Sequence, residues 1–254
     1  MKRYTISSSI ILILIVGIGF LYVYFNRYST TWAFFKKPLY RFETNEKIVA
    51  LTFDDGPAKK LTPPLLDLLK RYSVKATFFV IGERVERNRE LVKRIIREGH
   101  LLGSHSYHHD IMIFHSFSFI KNDVKRMDDL LLSVGNSNIS LYRPPTGCKM
   151  IVLPLVLRSM NKVLVMWDVG PPEQPVWKTM SDGYKSEYAA TLSQDVIDRC
   201  QPGSIILLHN GWPGELLPQL KALEQIIVGL KKRGFRFVTI QEGLDITKGQ
   251  SHVN

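Results

Sequence analysis

Short polar runs interrupt this chain, and their residue types are those of hydrolytic chemistry. Asp54 and Asp55 stand before Gly56-Pro57, and His105 and His109 bracket Ser106-Tyr107-His108. Arg143 opens the run Arg143-Pro144-Pro145-Thr146-Gly147, Asp168 follows Trp167, and His209 precedes Asn210-Gly211. Each has an ordinary reading of its own. Asp before Gly-Pro is turn chemistry, an arginine makes surface ion pairs, and a histidine caps strand ends. His105 and His109 have the spacing of two ligands on one helical turn or in a tight loop. His108 and His115 are expected to be bystanders. Taken together the set says more. Two histidines and one aspartate make a three-ligand site with open positions, the arrangement of a catalytic rather than a structural metal. A second aspartate and a further histidine supply the base and acid that a metal-dependent hydrolase needs.

The elements around these residues explain why they would meet. Apolar, strand-like runs are read at Ile48–Phe53, Ala76–Ile81, His100–Ser104, Ile139–Tyr142, Val163–Trp167, Ser204–Leu208 and Arg236–Ile240. Helix-like stretches lie between them near Leu61–Tyr72, Arg87–Glu98, Phe117–Val134, Ile151–Met160, Glu187–Cys200 and Leu216–Lys232. In the last, Leu216, Leu220, Leu223, Ile227 and Leu230 form one stripe at helical spacing. Short strands alternating with helices imply βα units and a parallel sheet. Seven strands suit a small (β/α) barrel of the α/β class, with an open doubly wound sheet as the competing arrangement. No glycine-rich phosphate loop accompanies it. Five strands each hand a charged or metal-capable residue to their C-terminal end, the face where barrel loops converge on an active site.

The chain has 254 residues, 45% hydrophobic and 22% charged, with a formal net charge of +11. It is long enough to bury a core without a disulfide framework. Collagen-like, low-complexity and wholly disordered classes are excluded. Cys148 and Cys200 are buried or free thiols on this reading, with a bridge between them left open. Lys2 and Arg3 precede an uncharged run from Tyr4 to Asn26. Ile6–Phe25 has the length of a bilayer span, and no A-x-A-like cleavage site follows it. The expected organisation is a short cytoplasmic stretch 1–5, a transmembrane signal-anchor 6–25 and a linker 26–45. A catalytic domain 46–245 and a tail 246–254 follow. Charge flanking the span points weakly the wrong way for an exported domain, but that rule counts least for long translocated domains. Residues 1–45 hold six Lys or Arg and one acid, so they carry +5 of the +11. The basic balance thus belongs partly to an anchor beside anionic head groups. Lys and Arg are otherwise spread out, with no nucleic-acid recognition motif.

The runs Thr52-Phe53-Asp54-Asp55-Gly56-Pro57, His105-Ser106-Tyr107-His108-His109, Arg143-Pro144-Pro145-Thr146-Gly147 and Leu207-Leu208-His209 resemble four of five signature motifs of the polysaccharide deacetylases. These are the NodB-homology enzymes, or carbohydrate esterase family 4. The resemblance covers about residues 46 to 242 and implies a distorted β/α barrel. It implies that Asp55, His105 and His109 hold a divalent metal, zinc first. It makes Asp54 the general base, His209 the general acid and Arg143 the residue that orients Asp54. Thr146, through its backbone N–H, would help hold the oxyanion, with Pro144, Gly147 and Leu207 beside the substrate. Two departures stand out. Thr146 replaces a usual aromatic residue. The fourth motif is altered over Trp167–Gln174, where Gly170, Glu173 and Gln174 stand at positions usually held by acids and a tryptophan. Glu173 or Asp168 is then the candidate partner of His209, and Trp177 a candidate groove wall. Residues 170–185 read as a long loop beside the site.

The implied activity is metal-dependent removal of N-acetyl groups from an extracytoplasmic polysaccharide, an N-acetylglucosamine-containing glycan or peptidoglycan. The expected partners are that polysaccharide and, through the N-terminal helix, a membrane. The alternatives are a catalytically degenerate carbohydrate-binding or scaffold protein, and an O-acetyl esterase on another glycan.

Overall fold

The structure, a computed structural model, describes residues 12–20, 24, 29–33, 37–170, 182–211 and 216–251, with backbone only for 182–186, 188–189 and 216–219. Seven parallel strands form a single curled sheet. They are β1 (Ile48–Gly56), β2 (Thr77–Val80), β3 (Leu101–Ser104), β4 (Leu141–Tyr142), β5 (Val163–Leu164), β6 (Ile205–His209) and β7 (Arg236–Val238). Their order is β5-β4-β3-β2-β1-β6, with β7 on β1. Just beyond β5, Val169 bridges Ile206 of β6, which brings the far edge of the sheet round toward the near one. The expected β/α architecture is therefore observed, as a distorted, partly closed barrel.

Side-chain alternation along the strands separates two apolar layers. Val49, Leu51 and Phe53 of β1 face outward, into a core shared with Phe78, Leu102, Ile206 and the helices. Ile48 and Ala50 face inward, with Phe79, Leu141, Ile205 and Val238. Thr52 and Asp54 continue this inward row toward the C-terminal end of the sheet. Gly103 belongs to the inner face of β3. A Cβ there would sit 2.5 Å from the Phe79 ring, so only glycine leaves that ring its place in the barrel.

Helices cover the outer face: α1 (Thr62–Arg71), α2 (Gly82–Arg87), α3 (Arg89–Arg97), α4 (Phe117–Ser133), α5 (Val152–Ser159), α6 (Asp182–Arg199) and α7 (Leu216–Lys232), whereas α8 (Ile240–Ser251) packs Ile240, Leu244 and Ile246 on the inward-facing cluster. The α7 stripe behaves as its spacing predicts, with Leu223, Ile227 and Leu230 buried and Leu220 packed against them. Three expectations change. The helix read at Arg87–Glu98 is α3, and a further short helix, α2, precedes it, the two parted at Asn88, whose backbone leaves the helical region (φ −140°, ψ 40°). The tail from 246 is helical to Ser251 as part of α8. The linker is not free chain from end to end. Leu39 bridges Val165, Arg41 bridges Ser204, and Phe42 is buried among the inward-facing residues. Phe42 thereby plugs the N-terminal end of the barrel.

Cys148 and Cys200 are both buried free thiols. Among the described residues no helix is long and apolar enough to cross a membrane. Residues 12–20 of the expected span are helical, with exposed apolar side chains. The rest of that span, except Tyr24, lies outside the described residues.

One buried group makes the fold pH-sensitive. His100 precedes β3 and accepts a hydrogen bond at Nδ1 from the Ala76 N–H at 3.2 Å, edge-on to Phe78. Burial, with Lys75 adding to it, lowers its pKa from 6.5 to about 4. The unfolded chain therefore binds the extra proton between these values. The stabilisation is complete above pH 6.5 and is lost as pH falls toward 4, by up to about 3 kcal/mol. Urea unfolding across this range is expected to show that decline, and His100→Gln a flatter profile. An identical slope in the variant would contradict the assignment.

Candidate active site

Strand β1 ends in a bulge. Pairing with β2 shifts between Asp54 and Gly56, and Asp55 lies in the left-handed region at φ 69°. A bulge re-aims a side chain that strict alternation would send to the opposite face. Asp54 and Asp55 consequently share one site. Asp54 is the register partner of His209 on β6. Paired residues of neighbouring strands project from the same face, so the carboxylate and the imidazole enter the barrel mouth together.

The loop after β3 supplies the histidines. Ser106 (φ 61°) and His109 (φ 65°) are both left-handed, which coils residues 105–109 tightly enough to bring two rings to one place. The loop is held from both sides. The first N–H groups of α2, from Gly82 and Glu83, donate to the carbonyls of Ser106 and Tyr107, so orphan helix donors are satisfied by the loop. From α4, Asp123 Oδ2 accepts the Tyr107 N–H at 3.0 Å, and Arg126 lies over the Tyr107 ring at 3.3 Å. Burial pushes the Asp123 carboxyl up to about 6.

The result is a three-donor site. Asp55 Oδ1 is 3.4 Å from His105 Nε2 and 3.2 Å from His109 Nε2. A tetrahedral cation bound at about 2.0–2.1 Å spaces its ligand atoms about 3.3–3.4 Å apart. The donors therefore fit a small divalent ion. His105 Nδ1 is 2.8 Å from the Arg143 carbonyl. Donation there places the imidazole proton on Nδ1 and leaves the Nε2 lone pair for the ion. Burial raises the Asp55 pKa, but the bonds from His105 and His109 outweigh it and hold the carboxyl well below its ordinary value. This is the only such cluster among the described residues. His108 pairs instead with Glu83, and His115 stacks on Phe119.

Arg143 sits inside the barrel with no exposed surface. Its Nη1 donates to Asp54 Oδ1 and Thr52 Oγ1, each at 2.8 Å, and its Nη2 to the Met166 carbonyl at 2.9 Å. Its guanidinium also lies 4.1 Å from the Phe79 ring. One oxygen of Asp54 is thus fixed by the arginine. The other, Oδ2, lies 3.8 Å from His105 Nε2, on the side of the three donors. Burial lowers the His209 pKa against the pull of Asp54 and Asp55.

Asp54, Asp55, His105, His109, Arg143 and His209 are therefore brought together. Leu207 faces inward one layer below His209 and is buried, as are Pro144 and Gly147. Thr146 is exposed at the tip of a short 3₁₀ turn, Pro145–Gly147, with left-handed backbone (φ 55°). Asp168 does not join the site. Its carboxylate accepts from Ser204 Oγ and the Ile205 N–H, both at 2.8 Å. That is the start of β6, roughly 13 Å down-strand from His209. A strand-end aspartate was read as facing the mouth, but here it caps the neighbouring strand's first N–H. It is not the partner of His209. Glu173, Gln174 and Trp177 lie outside the described residues.

The sequence reading passed over Arg84. Its Nη1 donates to the carbonyls of Asp55 (2.6 Å) and Gly211 (3.0 Å), tying the loop after β1 to the loop after β6. A Cβ on Gly211 would lie 2.3 Å from Asp55 Cβ, so this close approach requires glycine. Asn210 adds a second tie, its N–H donating to the Asp54 carbonyl at 2.7 Å. Nothing in the spacing of Arg84, Asp123 or Asn210 marks them, because their partners are backbone groups far away in the chain. Calorimetric titration with a divalent cation is expected to show no binding after Asp55→Ala, His105→Ala or His109→Ala. Arg84→Ala should weaken binding about 10-fold, and His108→Ala should leave it unchanged.

Comparison with known proteins agrees with this geometry. The family description "Polysaccharide deacetylase" matches residues 41–162. A peptidoglycan-N-acetylglucosamine deacetylase of Bacillus cereus is 35% identical over 224 residues, covering 86% of this chain and 77% of that protein. The crystal structure of the Bc1960 peptidoglycan N-acetylglucosamine deacetylase is also 35% identical. It superposes with a TM-score of 0.70 over 80% of this chain and 91% of its own. The Bacillus anthracis protein BA3943, described as a pseudoenzyme of the CE4 family, is 28% identical with a TM-score of 0.70, covering 82% of this chain and 68% of that one. A shared fold therefore does not by itself carry activity, and the residues present have to be weighed with it. With the identity to the Bacillus cereus deacetylase, the family match and the assembled carboxylates, imidazoles and three-donor set, this chain belongs to the polysaccharide deacetylases of carbohydrate esterase family 4.

Proposed function

We propose that this protein hydrolyses N-acetyl groups on an N-acetylglucosamine-containing wall glycan such as peptidoglycan, outside the cytoplasm, with a divalent metal ion bound. The observation that carries this reading is the pairing of Asp54 with His209 across β1 and β6 beside the Asp55–His105–His109 donors. A cation held by those donors, zinc being the best match to one carboxylate and two imidazoles, would polarise the acetyl carbonyl and lower the pKa of water.

The chain's own residues do the rest. Asp54 takes a proton from the attacking water as its oxygen bonds to the acetyl carbon. Arg143 holds one Asp54 oxygen, leaving the other free to accept that proton. The exposed Thr146 N–H is offered to the developing oxyanion. As the carbon–nitrogen bond breaks, His209 gives a proton to the sugar nitrogen, releasing acetate and a free amine. Burial lowers the His209 pKa, and the nearby Asp54 and Asp55 oppose that shift by favouring its protonated form. The second reading, an O-acetyl esterase, uses the same groups on an ester. The acetamido substrate is preferred because the named relative acts on N-acetylglucosamine.

The uncharged run over residues 6–25 supports a membrane anchor ahead of the catalytic domain. Acetate release from N-acetylglucosamine oligomers is expected to be lost in EDTA and restored by zinc. Asp54→Asn should lower kcat at least about 10²-fold while leaving metal binding intact. Full activity in that variant would remove Asp54 from the mechanism, and faster turnover of acetylated xylan would favour the esterase.

A further inference from the structure

Apart from Leu132, the exposed large apolar side chains among the described residues beyond 28 are Trp32, Ile111, Phe114, Phe117, Phe119 and Ile151. Four of these fall within nine residues, between the metal-ligand loop and the first turn of α4. Phe114 is 96% exposed and left-handed at φ 65°. A phenylalanine in that conformation bears strain and receives no packing in return. The group shares one support. Met112 and Ile120 of this segment are buried with Ala33 of the linker in a single cluster, against which Val152 also packs. Trp32 adjoins Ala33, and Ile151 adjoins Val152. The exposed apolar residues therefore surround one cluster, at the end of the sheet from which the β3 loop emerges.

The linker enters at this rim. Ala33 is buried, and Lys149 Nζ donates to the Ser29 carbonyl. Eight residues lie between Ser29 and Phe20, the last residue of the described exposed apolar helix 12–20. An extended chain of that length spans at most about 30 Å. Whatever receives the helix therefore lies within reach of the rim. Lys121 and Lys125 are exposed on the adjoining α4. Phe and Ile beside lysines is the composition of a segment lying in a bilayer interface with anionic head groups.

We infer that the rim of Ile111, Phe114, Phe117 and Phe119 docks on the lipid surface that holds the N-terminal segment. The inference rests on the anchor reading above. Because the rim follows His109 by two to ten residues, docking keeps the active site beside the bilayer and directs it to membrane-proximal glycan.

The test uses the full chain in vesicles of phosphatidylcholine and phosphatidylglycerol. Phe114→Cys and Leu132→Cys are each labelled with a polarity-sensitive fluorophore, since Cys148 and Cys200 are buried. Unchanged turnover of soluble acetamido-sugar oligomers verifies that each labelled protein is folded. Brominated lipid is expected to quench the probe at 114 several-fold more than the probe at 132. Protein that floats with the vesicles but shows equal, weak quenching at both positions would overturn docking and leave the anchor intact. Protein that does not float would overturn both. A probe at 114 that responds to N-acetylglucosamine oligomers and not to lipid would make the rim a glycan surface instead.

Discussion

The site depends on a guanidinium buried in an apolar barrel. Arg143 has no exposed surface, and its neighbours include the rings of Phe79 and Trp167. Such a charge persists only when it is paired and hydrogen-bonded. Burial lowers the Arg143 pKa and the carboxylate of Asp54 opposes that shift. Thr52 Oγ1 and the Met166 carbonyl are two further acceptors for its N–H groups. Removing one member of such a pair typically costs about 3–5 kcal/mol, because the other is left as an unpaired buried charge. The same constraint fixes Asp54, the proposed general base. Asp54 cannot rotate without abandoning the arginine, so its second oxygen stays on the side of the three donors.

Around that pair, the active-site loops are held mostly by backbone atoms. Asp55, Ser106, His109 and Thr146 all occupy the left-handed region. Each costs conformational energy that only surrounding structure can offset. Here the offset has named sources. The α2 N–H groups and Asp123 hold the histidine loop, while Arg84 and Asn210 hold the loops after β1 and β6. Asp55 and His209 at the ends of β1 and β6, and His105 and His109 in the tight loop after β3, are thus cross-braced, which keeps positional error small.

Burial also sets the electrostatics. It works against charge on His209 and on Arg143, while the clustered acids work the other way. The arginine keeps its charge because Asp54 is beside it. The apolar rim above the linker belongs to a different economy. It contributes little to the barrel's own packing.

Much of this was legible in the sequence. The order of strands and helices follows from alternation and periodicity, and the α7 stripe faces the core as its spacing requires. The aspartate pair, the two histidines, Arg143 and His209 could be named because each ends or follows an apolar strand run. Other decisions needed the third dimension. Asp168 satisfied the same strand-end pattern, yet it bonds to the start of β6, because the chain after β5 turns to bridge that strand. Asp54 and Asp55 face one site only through a bulge, which a one-dimensional pattern of alternation cannot contain. Arg84, Asp123 and Asn210 act on distant backbone carbonyls and N–H groups, which every residue carries and no motif marks. The sequence determined which side chains this protein can use. Folding decided which of them meet, because register, bulges and left-handed turns set direction at each strand end.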